Sequence, residues 1–497
     1  MSKKQRAADE GLSVKQKRQE AQAAEAKAKK TRRTRIICGA AVFVVLAVCA
    51  LVLTSGWFFR NTTAVKINDT VWTLADYNFE YTYQYTIVKN EFDSMAADYG
   101  LDGSLPEFTA LKSTPYSGEG YKTWADYMDR MTMDTLKEIT VLYEKATAEG
   151  HSLTETEMIT LYGELSRVDI EAGNNNMDVD TYLGAAYGKG VNKEVFDKNM
   201  TRMYLADSYA KAAKESFTYT DAELDAFYNE HADSYDYITY RSFYLSRSNY
   251  DDVMATAREF AEAVDSEADF AEMCRRYAPE SSAATYENDD ASLSSSRGSL
   301  MAMPYASWLI DSARKSGDVT VTETENGCYV VMFVNRDSNE YPSANVDYFM
   351  VSASLPDASL YESESAYNDA TEVLLRSTEN TANAIYDEWT GGKSFSAVQS
   401  AYSDSVSSSG QLAGVSRYDF DSRVTDWIYD EARQEGDTEI VVTDSHQYFV
   451  IRFVGYGDQY SRVVAKDALS IQDYQDWVKA ESDNCTVTRG AFKGFTR

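Results

Sequence analysis

One stretch of the chain is apolar on every side. Ile36–Phe59 (IICGAAVFVVLAVCALVLTSGWFF) carries no charged residue. At a rise of about 1.5 Å per residue it exceeds the roughly 30 Å hydrocarbon core of a bilayer. It predicts a transmembrane helix, with Trp57, Phe58 and Phe59 as aromatic anchors at the interface. After it the pattern becomes amphipathic. A strand at Val65–Ile67 and a turn at Asn68 and Asp69 lead to a helix starting near Thr73. In that helix Tyr77, Tyr81 and Tyr85 recur every fourth residue, as do Phe79, Tyr83 and Ile87, making two adjacent aromatic stripes. The stripes either face the core of a helical domain or line a surface that grips apolar segments of another protein. Helical periodicity continues to about Tyr235. Gly150 is a C-cap candidate, and Thr220 with Glu223 forms a capping box in TDAEL.

Beyond Tyr235 the period changes. YRSFYLS (Tyr240–Ser246) and VDYFMVS (Val346–Ser352) are predicted strands, each followed by a helical segment centred on a phenylalanine, Phe270 or Phe395, and a Ser-rich loop. Then comes a phrase spelled twice: WLIDSARKSGD from Trp308 and WIYDEARQEGD from Trp427. A closing strand follows each, from Tyr329 and from Tyr448. The order strand, helix, loop, helix, strand occurs twice, so the phrase marks a duplicated domain; two copies are too few for a solenoid. Within the phrase, Trp308, Leu309 and Ala313 (Trp427, Ile428 and Ala432 in the second copy) predict the apolar edge of a short helix. Arg314 and Arg433 then fall in its last turn, and Gly317 and Gly436 supply the left-handed residue that stops it.

Composition narrows the function. A chain of 497 residues is too long for one core. The basic cluster KKTRRTR just before the apolar run places the N-terminus in the cytoplasm and everything after Arg60 outside. A cleaved signal peptide is the rival reading, but the run is longer than a typical apolar signal region of ~7–15 residues and no A-x-A site follows it. Although the first segment is basic, the whole chain carries a net charge of −31. The exported part is therefore strongly acidic, which repels nucleic acid and suits basic or unfolded polypeptide partners. Cys274, Cys328 and Cys485 form no C-x-x-C pair, and His151, His231 and His446 are scattered, so neither a metal nor another cofactor is expected. GGKS at Gly391–Ser394 lacks the earlier glycine of a phosphate loop.

The segment GSLMAMPYASWLIDSARKSGDVTVTETENGCYVVMFV resembles a parvulin-type (PpiC-type) peptidyl-prolyl isomerase domain. TDAELDAFYNEHADSYDYITYRSF, in front of it, resembles the chaperone module of PrsA- and SurA-type extracytoplasmic foldases. The resemblance extends over about residues 64–480. It implies an α+β multidomain protein: a basic cytoplasmic segment (1–35), a transmembrane helix (36–59), and a mostly α-helical chaperone domain like the SurA N-domain (60–236). Two parvulin-like domains (237–340 and 344–456) follow, each a small antiparallel sheet flanked by helices, and then a C-terminal helix and extended tail (457–497). It also implies a single-pass membrane protein whose exported part binds unfolded polypeptides, holding an extended peptide around proline in a groove over the sheet.

Isomerisation breaks no bond. The barrier is the lost amide resonance of about 18–20 kcal/mol, and an apolar pocket that prefers a twisted imide lowers it. The histidines typical of the family's strands match Phe243 and Tyr329 in the first copy, and Phe349 and Tyr448 in the second. Two outcomes follow: peptide-binding modules without strong catalysis, or a weak isomerase that works by shape and desolvation. No catalytic residue is assigned. The candidates for peptide binding are Phe243, Met301, Met303, Tyr305, Trp308, Tyr329, Phe349, Trp427 and Tyr448, with packing between helix and sheet as their other role. The chaperone stripe is Tyr77, Phe79, Tyr81, Tyr83 and Tyr85. A non-catalytic envelope scaffold docking one fixed partner is the alternative function.

Overall fold

The computed structural model describes residues 55–99, 105–297, 300 and 302–491, together with 27, 40–45 and 52. Most of the expected membrane span, and the candidate Met301, lie outside the described residues. Among those described, no helix is long and apolar enough to cross a membrane. The expected end of the span is described. Ser55 caps helix α1 (Gly56–Asn61), its Oγ accepting the Phe58 N–H. Phe58 and Phe59 are buried in a protein core, and only Trp57 of the three aromatics is exposed. The two phenylalanines expected as interfacial anchors are core residues instead, because the chain is already folding back on itself from Ser55.

The chain divides into two compact units, 1–217 with 473–497, and 218–472. In the first unit β1 (Thr63–Ile67) and β2 (Thr70–Thr73) form a hairpin, with Asn68 in the turn at φ +50°. The strand Val487–Arg489 pairs with the other edge of β1, placing Arg489 opposite Val65. Helices α2 (Leu74–Tyr99), α3 (Trp124–Glu149), α4 (Glu155–Asn174), α5 (Val179–Tyr187) and α6 (Lys193–Ser216) complete the unit. The expected Gly150 cap is left-handed at φ +70°, and Thr123 and Thr154 open α3 and α4 with capping boxes. Trp72, Tyr77, Phe79 and Phe196 are almost fully buried at the centre. The indole N–H of Trp72 donates to Thr140 Oγ1 at 3.0 Å, so the large ring leaves no polar atom unpaired. Val478, from the C-terminal helix Tyr460–Asp483, joins this core, with Tyr474 and Trp477 packed against it. Residues 473–491 are thus part of the helical unit.

The second unit holds β3 (Tyr237–Ser246), β4 (Leu293–Ser296), β5 (Val319–Thr324), β6 (Gly327–Asp337), β7 (Pro342–Ser352), β8 (Ser408–Val415), β9 (Thr438–Val442) and β10 (Gln447–Gln459). They form two four-stranded antiparallel sheets of the same plan, β4-β3-β6-β5 and β8-β7-β10-β9. After α7 (Asp221–Glu230), the helices α8 (Val253–Glu262) and α9 (Glu267–Tyr277) pack on one face of the first sheet, and the short α10 (Ala306–Leu309) packs on the other. In the second sheet α11 (Glu364–Thr390) and α12 (Phe395–Ala401) cover one face and α13 (Ser422–Ile428) the other.

The repeated phrase is not a single helix. Helix α10 ends at Leu309 and α13 at Ile428, so Ala313, Arg314, Ala432 and Arg433 lie beyond them. Gly317 and Gly436 are left-handed, at φ +89° and +90°, but they turn the chain into a strand rather than stopping a helix.

Candidate functional site

Side chains alternate between the two faces of a strand, and on β3 this sorts the aromatics. Phe243 and Leu245 point under α8 and α9, packed with Phe260 and Phe270. Tyr240 lies on the opposite face, in the cluster of Tyr305, Leu309 and Val331. A chain of ring contacts runs across that face: Tyr240 to Tyr305 at 5.7 Å, Tyr305 to Tyr329 at 5.2 Å, Tyr329 to Tyr244 at 4.8 Å. Tyr240 and Tyr305 are buried, but Tyr244 is 38 % exposed, so the aromatic floor opens to solvent at that end. Trp308 is half-buried beside it, its ring under the Arg314 guanidinium at 5.0 Å. Burial, then the neighbouring Tyr305, pushes the Tyr240 phenol up to about 12, and burial also raises Tyr329. These phenols keep their protons at neutral pH and act as neutral donors.

The floor therefore brings Tyr305, Trp308 and Tyr329 together and leaves Phe243 in the core behind the sheet, while Met303 is exposed, 41 %, two residues before Tyr305. Tyr240 and Tyr244 are floor residues that matching to the family's histidine position passes over. The signal was in the sequence: with Phe243 facing the helices, its even-numbered neighbours must face the other way.

The second sheet differs in one respect that matters. Phe349 is fully buried against Trp389 and Phe395, and Tyr448 shares that helix-covered side. Trp427 lies on the other side with Phe449, Phe420 and Tyr348. Its indole N–H donates to Glu439 Oε2 at 2.7 Å, and Arg433 stacks 3.9 Å from the ring. The positional counterpart of Tyr329 is thus Phe449, not Tyr448. The β9–β10 hairpin is one residue longer than the β5–β6 hairpin, with His446 in its loop at φ +58°. A one-residue difference moves each following side chain to the opposite face.

None of the three histidines lies on either sheet's aromatic face. His446 occupies that turn, His231 stacks on Phe227 at 4.3 Å, and His151 meets Ser208 Oγ at 2.9 Å. The Ser208 hydroxyl donates to Glu157 at 3.0 Å. The carboxylate thus holds the serine rather than the imidazole, which is the wrong order for a nucleophilic triad.

In the helical unit, Tyr77, Phe79 and Tyr85 are buried, and Tyr81 and Tyr83 are half-buried. Tyr77 donates to Asp129, which also takes both terminal nitrogens of Arg489, at 3.0 and 2.8 Å. Phe79 packs edge-on to Phe196. The stripe is therefore mainly core, with Tyr83 as the member that reaches a cavity of about 300 Å³. Ile87, Leu142 and Met203 line the same cavity with two carboxylates, Glu138 and Asp207, both raised above the usual range chiefly by burial. Behind it Glu80 is fully buried, and desolvation, opposed by the hydrogen bond from Gln84, lifts its carboxyl to about 7.

No protein-family model matches the chain, and no curated protein matches it. Solved structures similar to it include peptidylprolyl isomerase PrsA from Bacillus cereus, at 13 % identity over 53 % of this chain and 82 % of that one, with a TM-score of 0.24. The foldase protein PrsA from Streptococcus pneumoniae is 14 % identical over 58 % of this chain and 98 % of its own, with a TM-score of 0.21. A SurA-like chaperone from Campylobacter jejuni is 16 % identical over 40 % and 78 %, with a TM-score of 0.17.

Proposed function

We propose that this chain is an extracytoplasmic foldase of the parvulin type, tethered to the membrane by the part of the apolar segment before Ser55, that holds unfolded exported polypeptides in a foldable state. The supporting observation is the aromatic floor of the first sheet, where four tyrosines in ring contact end at an exposed Tyr244. Aromatic rings offer large apolar contact at small entropic cost, and their hydroxyls can meet a backbone carbonyl. Such a floor suits an extended segment of varied sequence. The two sheets act as copies of one domain, the first carrying this floor and the second mainly a structural role. The cavity at Tyr83, with carboxylates among apolar side chains, suits a client side chain that is apolar along its stem and cationic at its tip.

Binding is the principal activity in this account. The floor of named tyrosines supplies desolvation and neutral donors but no imidazole, so any acceleration of prolyl rotation rests on preferring the twisted imide. The test uses the full-length chain with several unrelated, chemically unfolded proteins. Delayed aggregation of all of them supports a foldase; protection of one stoichiometric partner alone points to an envelope scaffold. A proline-isomerisation assay run in parallel should give a rate within a few-fold of the uncatalysed one.

A further inference from the structure

The second unit contains a cleft of about 650 Å³, formed by residues of the first sheet domain (Tyr237, Arg297) and of the second (Arg417, Tyr418, Thr425, Asp426). Its frame is fixed by aromatic stacking. The rings of Tyr237 and Tyr418 lie 3.7 Å apart and nearly parallel, and the Tyr418 hydroxyl donates to Asp337 at 3.0 Å. Each arginine rests one face on an aromatic ring: Arg297 is 5.3 Å from the centre of Tyr237, and Arg417 is 4.3 Å from Tyr341 and 5.2 Å from Tyr429. Stacking immobilises a guanidinium while leaving its in-plane N–H donors available.

Among the described residues, no side-chain hydrogen bond engages those donors. Elsewhere in this unit Arg314, Arg336, Arg433 and Arg462 each hold an aspartate in an ion pair. Neither Arg297 nor Arg417 does so among the described residues, and Arg297 Nη1 is buried without any hydrogen-bond partner. In a chain of net charge −31, two guanidinium groups with no ion-pair partner among the described residues line one cleft. A buried, unsatisfied charged donor is costly unless something completes it.

We propose that this cleft binds a carboxylate borne by a polypeptide, held by Arg297 and Arg417. A planar carboxylate matches the fork of a guanidinium and satisfies the free donors. Asp426, on the same lining, repels a bare polyanion and accepts the N–H of a peptide backbone. Together the two arginines and the aspartate select a peptide carrying a carboxylate over inorganic phosphate. The carboxylate comes either from a chain's C-terminus or from an Asp or Glu side chain. This site is separate from the tyrosine floor, and neither depends on the other.

The test is fluorescence anisotropy on the full-length chain with three short labelled peptides of Gly, Ser and Ala. One has a free C-terminus, one is amidated, and one is amidated with a single internal Asp. The free-acid peptide, the Asp peptide or both should bind, and which of them binds identifies the source of the carboxylate. The neutral amide should bind at least about tenfold more weakly, and Arg297→Gln and Arg417→Gln should each lose about tenfold. Because Arg417 packs on two tyrosines, Thr425→Glu provides a second variant. It places a competing carboxylate in the cleft while keeping Arg417 itself, and should abolish binding of the free-acid and Asp peptides while circular dichroism stays unchanged. Equal binding of all three peptides, binding of none, or affinities indifferent to these substitutions would overturn the proposal. Aggregation assays read the tyrosine floor, so failure here leaves that reading intact.

Discussion

The backbone N–H of Gly317 donates to the carbonyl of Phe333 at 2.9 Å, and the Phe333 N–H returns a bond to Asp318 at 2.8 Å. Gly436 makes the same bond to Phe453, at 2.8 Å, and Phe453 returns one to Asp437, at 2.9 Å. This clasp explains why the chain spells W-x-x-D-x-A-R-x-x-G-D twice. The tryptophan lies under the arginine, the arginine pairs with the last aspartate, and the glycine turns the chain to hook onto the long strand. Each residue of the phrase that recurs with a polar or special backbone role serves this turn.

Replacing either glycine by alanine tests the clasp. A Cβ at Gly317 or Gly436 meets no atom within 4 Å, so the cost is backbone strain alone. Gly317→Ala and Gly436→Ala should each destabilise the second unit by about 1–2 kcal/mol in denaturant melts, the expense of a left-handed L-residue. The two effects should add, because the sites are independent.

Glu80 makes stability depend on pH in an unusual direction. Its folded carboxyl titrates near 7, against 4.5 as the ordinary value, so the folded state binds the proton more tightly than the unfolded chain. Its side chain therefore costs nothing below about pH 4.5 and progressively destabilises the helical unit as pH rises towards 7, by about 3 kcal/mol at most. Glu80→Gln, which keeps an acceptor for Gln84, should leave stability unchanged at pH 4 and raise it at pH 8. Urea melts at the two pH values check this; a gain of equal size at both would show that titration is not the cause.

Arg489 ties the terminal strand to α3 through Asp129. Both side chains are about a third to a half exposed, so solvent screening limits the pair to about 1 kcal/mol. Arg489→Met should cost about that much and accelerate amide exchange over Val487–Arg489, leaving exchange in β3 and β6 unchanged.

Much of this architecture is legible in the sequence. The shift from helical to strand periodicity after Tyr235 corresponds to the observed start of β3 at Tyr237. The twice-spelled phrase lies at matching points of two sheets with one strand order, and the Gly150 and Thr220 caps are where capping chemistry puts them. What sequence did not reveal was governed by long-range partners or by single-residue register. Tyr448 aligns with Tyr329 by distance from the tryptophan, yet one additional hairpin residue sends it to the other face. Phe58 and Phe59 look like the end of an apolar run, and only their place in one buried cluster with distant residues such as Ala75, Val191 and Phe196 identifies them as core. Nothing local to DYQDWV tells that its tryptophan packs against the core of the helical unit, with Lys145 over its ring.

The central claim is that clients are held on the tyrosine floor of the first sheet, so the decisive measurement compares the two adjoining tyrosines at its open end with a residue on the wrong face. Binding of an unfolded, labelled client should be measured for the full-length protein, for Tyr244→Ala combined with Tyr329→Ala, and for Tyr448→Ala. The double variant should keep most of its stability and lose affinity by about tenfold or more. Tyr448→Ala should lose stability, by about 3 kcal/mol, and retain client affinity wherever it is folded. Unchanged affinity in the folded double variant would contradict the account.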